Sequence, residues 1–166
     1  MQKPLINYAY IDGQNLYMGI KNMGWELDWK KFRRYLQEKY QVRKAYIFIG
    51  YLSQNKKLYN ALKKMDYSLV FKEVIQVNER IKGNCDAELV LQVMIDYEKY
   101  EKAVIVSGDG DFACLVRHLK KQAKLQKVLV PNIKKYSALL KKAAAEEHLD
   151  SMNYLKEKLA YMKSTQ

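Results

Sequence analysis

An α/β fold built on a central parallel sheet is predicted by two features of the 166-residue sequence. Short apolar runs rich in Val, Ile, Leu and Tyr alternate with longer segments of helical periodicity, and two of those runs end directly in acidic residues. The strands fall at residues 5–11, 42–51, 68–74, 102–107 and 126–131, each bounded by polar or turn residues. Helices of about 10 to 15 residues between such strands imply right-handed βαβ crossovers.

Each element follows from its residues. The first run delivers Asp12 into the turn IDGQN, after which Asn15 starts a helix. Asp28 is placed to cap a helix whose Phe32, Tyr35 and Leu36 share one face. Residues 55–65 put Leu58, Leu62 and Met65 at spacings of three and four, and the run from Asp86 repeats this with Leu89, Val90, Val93 and Met94. Between the third strand and Asp86, residues 75–85 (IQVNERIKGNC) show no period and read as a long loop, a length that often carries function. Residues 112–122 form another amphipathic helix through Leu115, Val116 and Leu119, and residues 136–147 and 151–162 read as closing helices.

Composition narrows the function classes. With 49% hydrophobic and 29% charged residues the chain is globular, not disordered. No apolar run approaches the roughly 20 residues of a membrane span, and residues 1–13 lack a signal-peptide hydrophobic region, so a soluble cytoplasmic chain without membrane contact is expected. Cys85 and Cys114 stand alone, in no zinc-like spacing. A net charge of +12 favours a polyanionic partner, nucleic acid before membrane.

The acidic residues converge if the sheet has the usual parallel topology. Asp12 ends the first strand, Asp109 and Asp111 lie in SGDGDF after the fourth, and Asp86 opens the helix after the third; all three places belong to the carboxyl edge, where ligands and metals bind. An all-oxygen set without nearby His or Cys suits Mg²⁺ or Mn²⁺ and argues against zinc. The plain alternative is that Asp86, Asp109 and Asp111 each cap a helix or sit in its first turn, and that Asp12 forms a turn beside Gly13. Asn15 faces the same edge and Ser107 stands at the end of the fourth strand, both suited to holding water or phosphate. Arg80 and Lys82, upstream of Asp86, are candidates for guiding a phosphate backbone. His118 and His148 fall in no ligand spacing, and Cys85 reads as a packing residue.

Three ordered motifs, YIDGQN at residues 10–15, KGNCDAELVLQVM at 82–94 and VSGDGDF at 106–112, together resemble the NYN domain, the LabA-like branch of the PIN-like ribonuclease superfamily. The resemblance covers nearly the whole chain. It implies a Rossmann-like PIN/NYN fold with strand order 3-2-1-4-5 and helices on both faces, in one domain over residues 1–166 that includes C-terminal helices at about residues 134–163. It also implies a metal-dependent endoribonuclease in which Asp12, Asp86, Asp109 and Asp111 hold the metal while Asn15 and Ser107 support them. RNA is the implied partner, with DNA not excluded by the sequence. One residue departs from the pattern: Gln92 stands where many members carry a carboxylate, and Asp96, about 15 Å along the helix from Asp86, does not replace it.

Two function classes therefore compete, a ribonuclease and an RNA- or protein-binding module that does not turn over. A haloacid-dehalogenase-type phosphatase needs a second aspartate two residues after Asp12, where Gln14 stands, and a Toprim-like site needs glutamate in place of Asp12. An EF-hand would need a closing glutamate. Neither periodicity nor charge decides between a monomer and a homodimer.

Overall fold

The computed structural model describes residues 3–73, 75–77, 80–82 and 85–164, with backbone alone for the described residues of 73–84. In chain order the elements are β1 (Asn7–Asp12), α1 (Gly13–Asn22), α2 (Trp29–Tyr40), β2 (Val42–Tyr51), α3 (Lys56–Lys64), β3 (Tyr67–Glu73), β4 (Ile75–Val77), β5 (Arg80–Lys82), α4 (Asp86–Ile95), β6 (Ala103–Val106), α5 (Ala113–Lys121), β7 (Leu125–Val130), α6 (Ala138–Ala144), β8 (Leu149–Ser151) and α7 (Lys156–Leu159). Short 3₁₀ turns at Ser53–Asn55, Gly110–Phe112 and Glu146–His148 join some of them.

Six strands form one sheet in the order β3-β2-β1-β6-β7-β8, and every pairing is parallel. The expected order 3-2-1-4-5 is present, with one strand added at its end. Strand residues alternate between the two faces, as the two-residue period requires. Ala9, Ile11, Ala45, Ile47, Val104 and Val106 pack with Leu16 and Ile20 of α1, Phe32 and Leu36 of α2, and Leu62 of α3. Tyr10, Tyr46, Phe48 and Ile105 pack on the other side with Leu89 and Val93 of α4, Leu115, Val116 and Leu119 of α5, and Leu140 of α6. Both faces are thus covered by helices, the condition under which a parallel sheet is stable.

Caps fix several helix starts. Asp28 accepts from Lys31 N at 3.0 Å, and α2 ends at Gln41, whose φ of 54° is left-handed. At residue 19 only glycine fits, since a Cβ would lie 2.5 Å from Pro131 Cβ, and this brings α1 close against the end of β7.

Four expectations change. Residues 151–162 are not a helix: β8 pairs with β7 through Val128↔Leu149 and Val130↔Ser151, Met152 N bonds Val130 O at 3.0 Å, and only Lys156–Leu159 is helical. Met152, Leu155 and Leu159 have helical spacing, but the open edge of β7 captures the first of them for the sheet, and pairing overrides the pattern. The helix expected at 136–147 is confined to Ala138–Ala144, stopped by Ala145 at φ 60°. The segment at 75–85 holds an antiparallel pair, Ile75–Val77 with Arg80–Lys82. Finally, Leu58 and Met94 are both 42% exposed, while Tyr59 takes the inward place on α3.

Candidate metal centre

The site begins where the strand order reverses. β2 lies on one side of β1 and β6 on the other, and the pairing Ile11↔Val106 makes Asp12 and Ser107 neighbours at the carboxyl edge. Ser107, fully buried, donates through Oγ to Asp12 Oδ2 at 3.1 Å and accepts from Asp109 N at 3.1 Å. Asp12 Oδ1 accepts from Asn15 N at 3.2 Å, and Asn15 Oδ1 accepts from Gly108 N at 2.8 Å. The turn after β1 and the turn after β6 are therefore joined by two hydrogen bonds, Ser107 to Asp12 and Gly108 to Asn15, and each turn closes one more within itself.

Asp109 accepts from Asp111 N at 2.9 Å and so starts the 3₁₀ turn that leads into α5. Capping is thus a true role of Asp12 and Asp109, but it uses one oxygen of each in that contact. Asp86 does not cap; it is the first residue of α4, following Cys85.

Asp12, Asp86 and Asp109 each bring a carboxylate oxygen within 4.8 Å of the others. Asp111 is outside this trio. It is exposed, and its charge acts on Asp86 from the rim. Of the four expected aspartates the fold therefore gathers three tightly and sets the fourth at the rim.

Crowding leaves its mark on protonation. Burial, followed by the charges of Asp109, Asp12 and Asp111 and a hydrogen bond with Asp111, pushes Asp86 up to about 6. Burial also raises Asp12, opposed by the hydrogen bonds from Asn15 and Ser107 and assisted by the charge of Asp109. A pair of ionised carboxylates about 5 Å apart repel by roughly 3 kcal/mol at an effective dielectric of 20.

The donor set fits a hard divalent cation. Asp86 Oδ2 is buried and has no hydrogen-bond partner, a costly state that a cation between the three carboxylates would relieve. Cys85, beside them, is pushed up to about 11 by burial and by nearby carboxylates, so in the metal-free protein its thiol is protonated at neutral pH. Both histidines lie elsewhere: His148 is 3.5 Å from Glu147, and His118 packs near Tyr97.

Other residues emerge only from the structure. Glu88, two residues after Asp86 in the first turn of α4, has Oε2 buried without a partner while Oε1 lies 3.7 Å from Lys72 Nζ. Asp96 is fully buried and accepts from Tyr10 Oη at 3.1 Å, Gln92 Nε2 at 3.1 Å and Lys99 Nζ at 3.2 Å. Burial opposes its charge, but the pull of Gln92, Tyr46, Lys99 and Tyr10 outweighs that and holds the carboxyl below its ordinary value. Gln92 is accordingly the partner of a buried aspartate. The only sequence signal was the spacing of four and three between Gln92, Asp96 and Lys99, the last two of which fall past the end of α4. The side chains of Arg80 and Lys82 lie outside the described residues; their backbone forms β5.

These three turns fall within residues 8–152, the stretch matched by the NYN domain family model. The chain belongs to the NYN domain family. NYN domains are related to PIN-like nucleases. One similar protein is the "Low amplitude and bright protein LabA" of Synechococcus elongatus, 25% identical in an alignment of 122 residues that covers 67% of this chain. The match spans 66% of that relative's length. A crystal structure of a protein of unknown function from Vibrio parahaemolyticus has the same fold, with a TM-score of 0.77 and 20% identity, covering 96% of this NYN chain and 99% of the other. Among the described residues of this NYN domain, no helix is long and apolar enough to cross a membrane.

Proposed function

We propose that this NYN domain is a metal-dependent endoribonuclease that hydrolyses RNA phosphodiester bonds at its aspartate cluster. The observation that carries this reading is the approach of Asp12, Asp86 and Asp109 to within 4.8 Å of one another, from three separate segments of chain. Mg²⁺ or Mn²⁺ held there would lower the pKa of a bound water and offset charge on the phosphoryl oxygens.

The chain's own residues supply position. Asp12, Asp86 and Asp109 hold the cation, with Asp111 at the rim beside Asp86. Ser107 and Asn15 keep the two strand-end turns in register, so that the carboxylates of Asp12 and Asp109 stand close together. Arg80 and Lys82 would guide the RNA backbone towards them, in keeping with a net charge of +12.

The test is cleavage of end-labelled RNA with Mn²⁺, with EDTA, and by an Asp109→Asn chain. Internal cuts are expected with Mn²⁺ alone, and undiminished cutting by the variant would remove the proposed centre. A binding module without turnover is the second reading, favoured by Gln92, whose amide is bonded to Asp96 and adds no carboxylate to the trio. Its signature is RNA binding that persists with Mn²⁺ while every strand stays intact.

A further inference from the structure

Residues 112–145 carry eight Lys and Arg117 but not one Asp or Glu. With no acid to offset them, these nine side chains bring a charge of +9, against +12 for the whole chain. The fold uses them unequally. Three are taken up within the protein: Lys120 Nζ lies 3.7 Å from Glu147 Oε1, Lys124 donates to Tyr100 O at 2.9 Å, and Lys127 donates to Glu147 O at 2.7 Å. Lys134 and Lys135 follow the carboxyl end of β7, the strand beside β6, and are exposed. Among the described residues their side chains enter no ion pair and no hydrogen bond.

The loop that bears them is held in place. Asn132, only 8% exposed, accepts from Lys134 N at 3.0 Å through Oδ1, and its carbonyl accepts from Lys135 N at 3.0 Å. Asn153, beyond β8, accepts from Ile133 N at 2.8 Å. At the other end Ser137 N donates to Gly108 O at 3.0 Å, and a Cβ on Gly108 would lie 3.1 Å from the Cβ of Tyr136. The two lysines therefore directly precede a residue packed on the turn that carries Asp109. Adjacent like charges repel, so neither stabilises the other. A chain of phosphates beside them would offset that repulsion.

We propose that Lys134 and Lys135 hold RNA backbone phosphates next to the one at the aspartates, on the β7 side of the cut. The proposal rests on the ribonuclease reading, which supplies the identity of the polyanion and the place of the scissile bond. Metal-free aspartates repel a phosphate chain, so the attraction that brings it in comes from outside the cluster. Lysine suits that task, because its ammonium binds a phosphate as a point charge and reads no base. Lys141 and Lys142, exposed on α6, continue the same sign of charge. An acidic protein surface would meet the same lysines but offers the aspartates no phosphodiester.

The test compares two doubly substituted chains, Lys134→Gln with Lys135→Gln and Lys63→Gln with Lys64→Gln. Lys63 and Lys64 are exposed at the end of α3, just before β3 begins, and so lie at the opposite edge of the sheet. Anisotropy of a labelled single-stranded oligoribonucleotide in EDTA gives the affinity over a series of salt concentrations. The loop pair should lower affinity about tenfold and flatten the slope of log affinity on log salt by roughly 1.4, the value for two lost phosphate contacts. The pair on α3 should alter neither. Equal losses from both pairs, an unchanged slope in the loop variant, or no RNA binding by wild type would overturn the proposal. Polyglutamate that displaces the label as well as unlabelled RNA does would also overturn it, in favour of an acidic protein. Cleavage with Mn²⁺ is scored separately. A chain that binds RNA through the loop but never cuts it loses the nuclease centre and keeps the lysine site, whereas one that cuts while its loop variant binds as wild type does the reverse.

Discussion

Ser107 and Asp12, 95 positions apart in sequence, are joined by a 3.1 Å hydrogen bond at the switch point of the sheet. The same hydroxyl accepts from Asp109 N, so one buried side chain sets the spacing of two of the three clustered carboxylates. Ser107→Ala should leave the sheet intact and weaken Mn²⁺ binding, by roughly 1 kcal/mol or about fivefold. Isothermal titration measures it, and an unaltered affinity would show that the turns hold themselves.

Asp86 makes the metal-free protein sensitive to pH. Its carboxyl is pushed up to about 6 in the fold, above the ordinary value of 3.8, so the folded state binds the proton more tightly than the unfolded chain. The contribution of this group to stability is therefore present at low pH and is lost as pH rises from about 4 through 6. In EDTA, Asp86→Asn should remove that loss and melt higher than wild type at pH 7. With Mn²⁺ the order should reverse, because the variant gives up a ligand. Thermal melts over that pH range with and without metal read both effects.

Gln92→Glu should not improve the site. The amide donates to Asp96, a carboxylate with no solvent exposure, and the new carboxylate would face it at hydrogen-bonding distance. One of the two must then take a proton. A loss of roughly 1–3 kcal/mol is expected at pH 7, or several degrees in melting temperature, with partial recovery at pH 5. Calorimetry at the two pH values checks it; a variant as stable as wild type and more active on RNA would contradict this role for Gln92.

The turn SGDGDF is packed too closely for a side chain at residue 110. A Cβ there would lie 2.9 Å from Ser137 Cβ, on the segment that leads into α6. Gly110→Ala should displace Asp109 and weaken Mn²⁺ binding more than it lowers the melting temperature. Comparing the two quantities separates a local shift from general destabilisation.

The sheet was legible because its strands are short apolar runs bounded by turn residues, as parallel strands covered on both faces are, and parallel topology then placed Asp12, Asp86 and Asp109 on one edge. Asp111 was read as their equal because sequence gives the spacing of a turn, not the direction in which each side chain leaves it. β8 was hidden because Met152, Leu155 and Leu159 have helical spacing, and only the free edge of β7 reveals that the first is needed by the sheet. The network around Asp96 was missed for a related reason: its partner Tyr10 lies 86 positions away, on a strand whose tyrosines read as ordinary core.

The central claim is that Asp12, Asp86 and Asp109 hold one divalent cation together. The most direct measurement is the anomalous density of a crystal soaked in Mn²⁺. The account predicts a peak bounded by these three carboxylates, with Asp86 Oδ2 among the contacts and Asp111 at the margin. Absence of a peak, with the carboxylates splayed apart or paired to lysines, would contradict it.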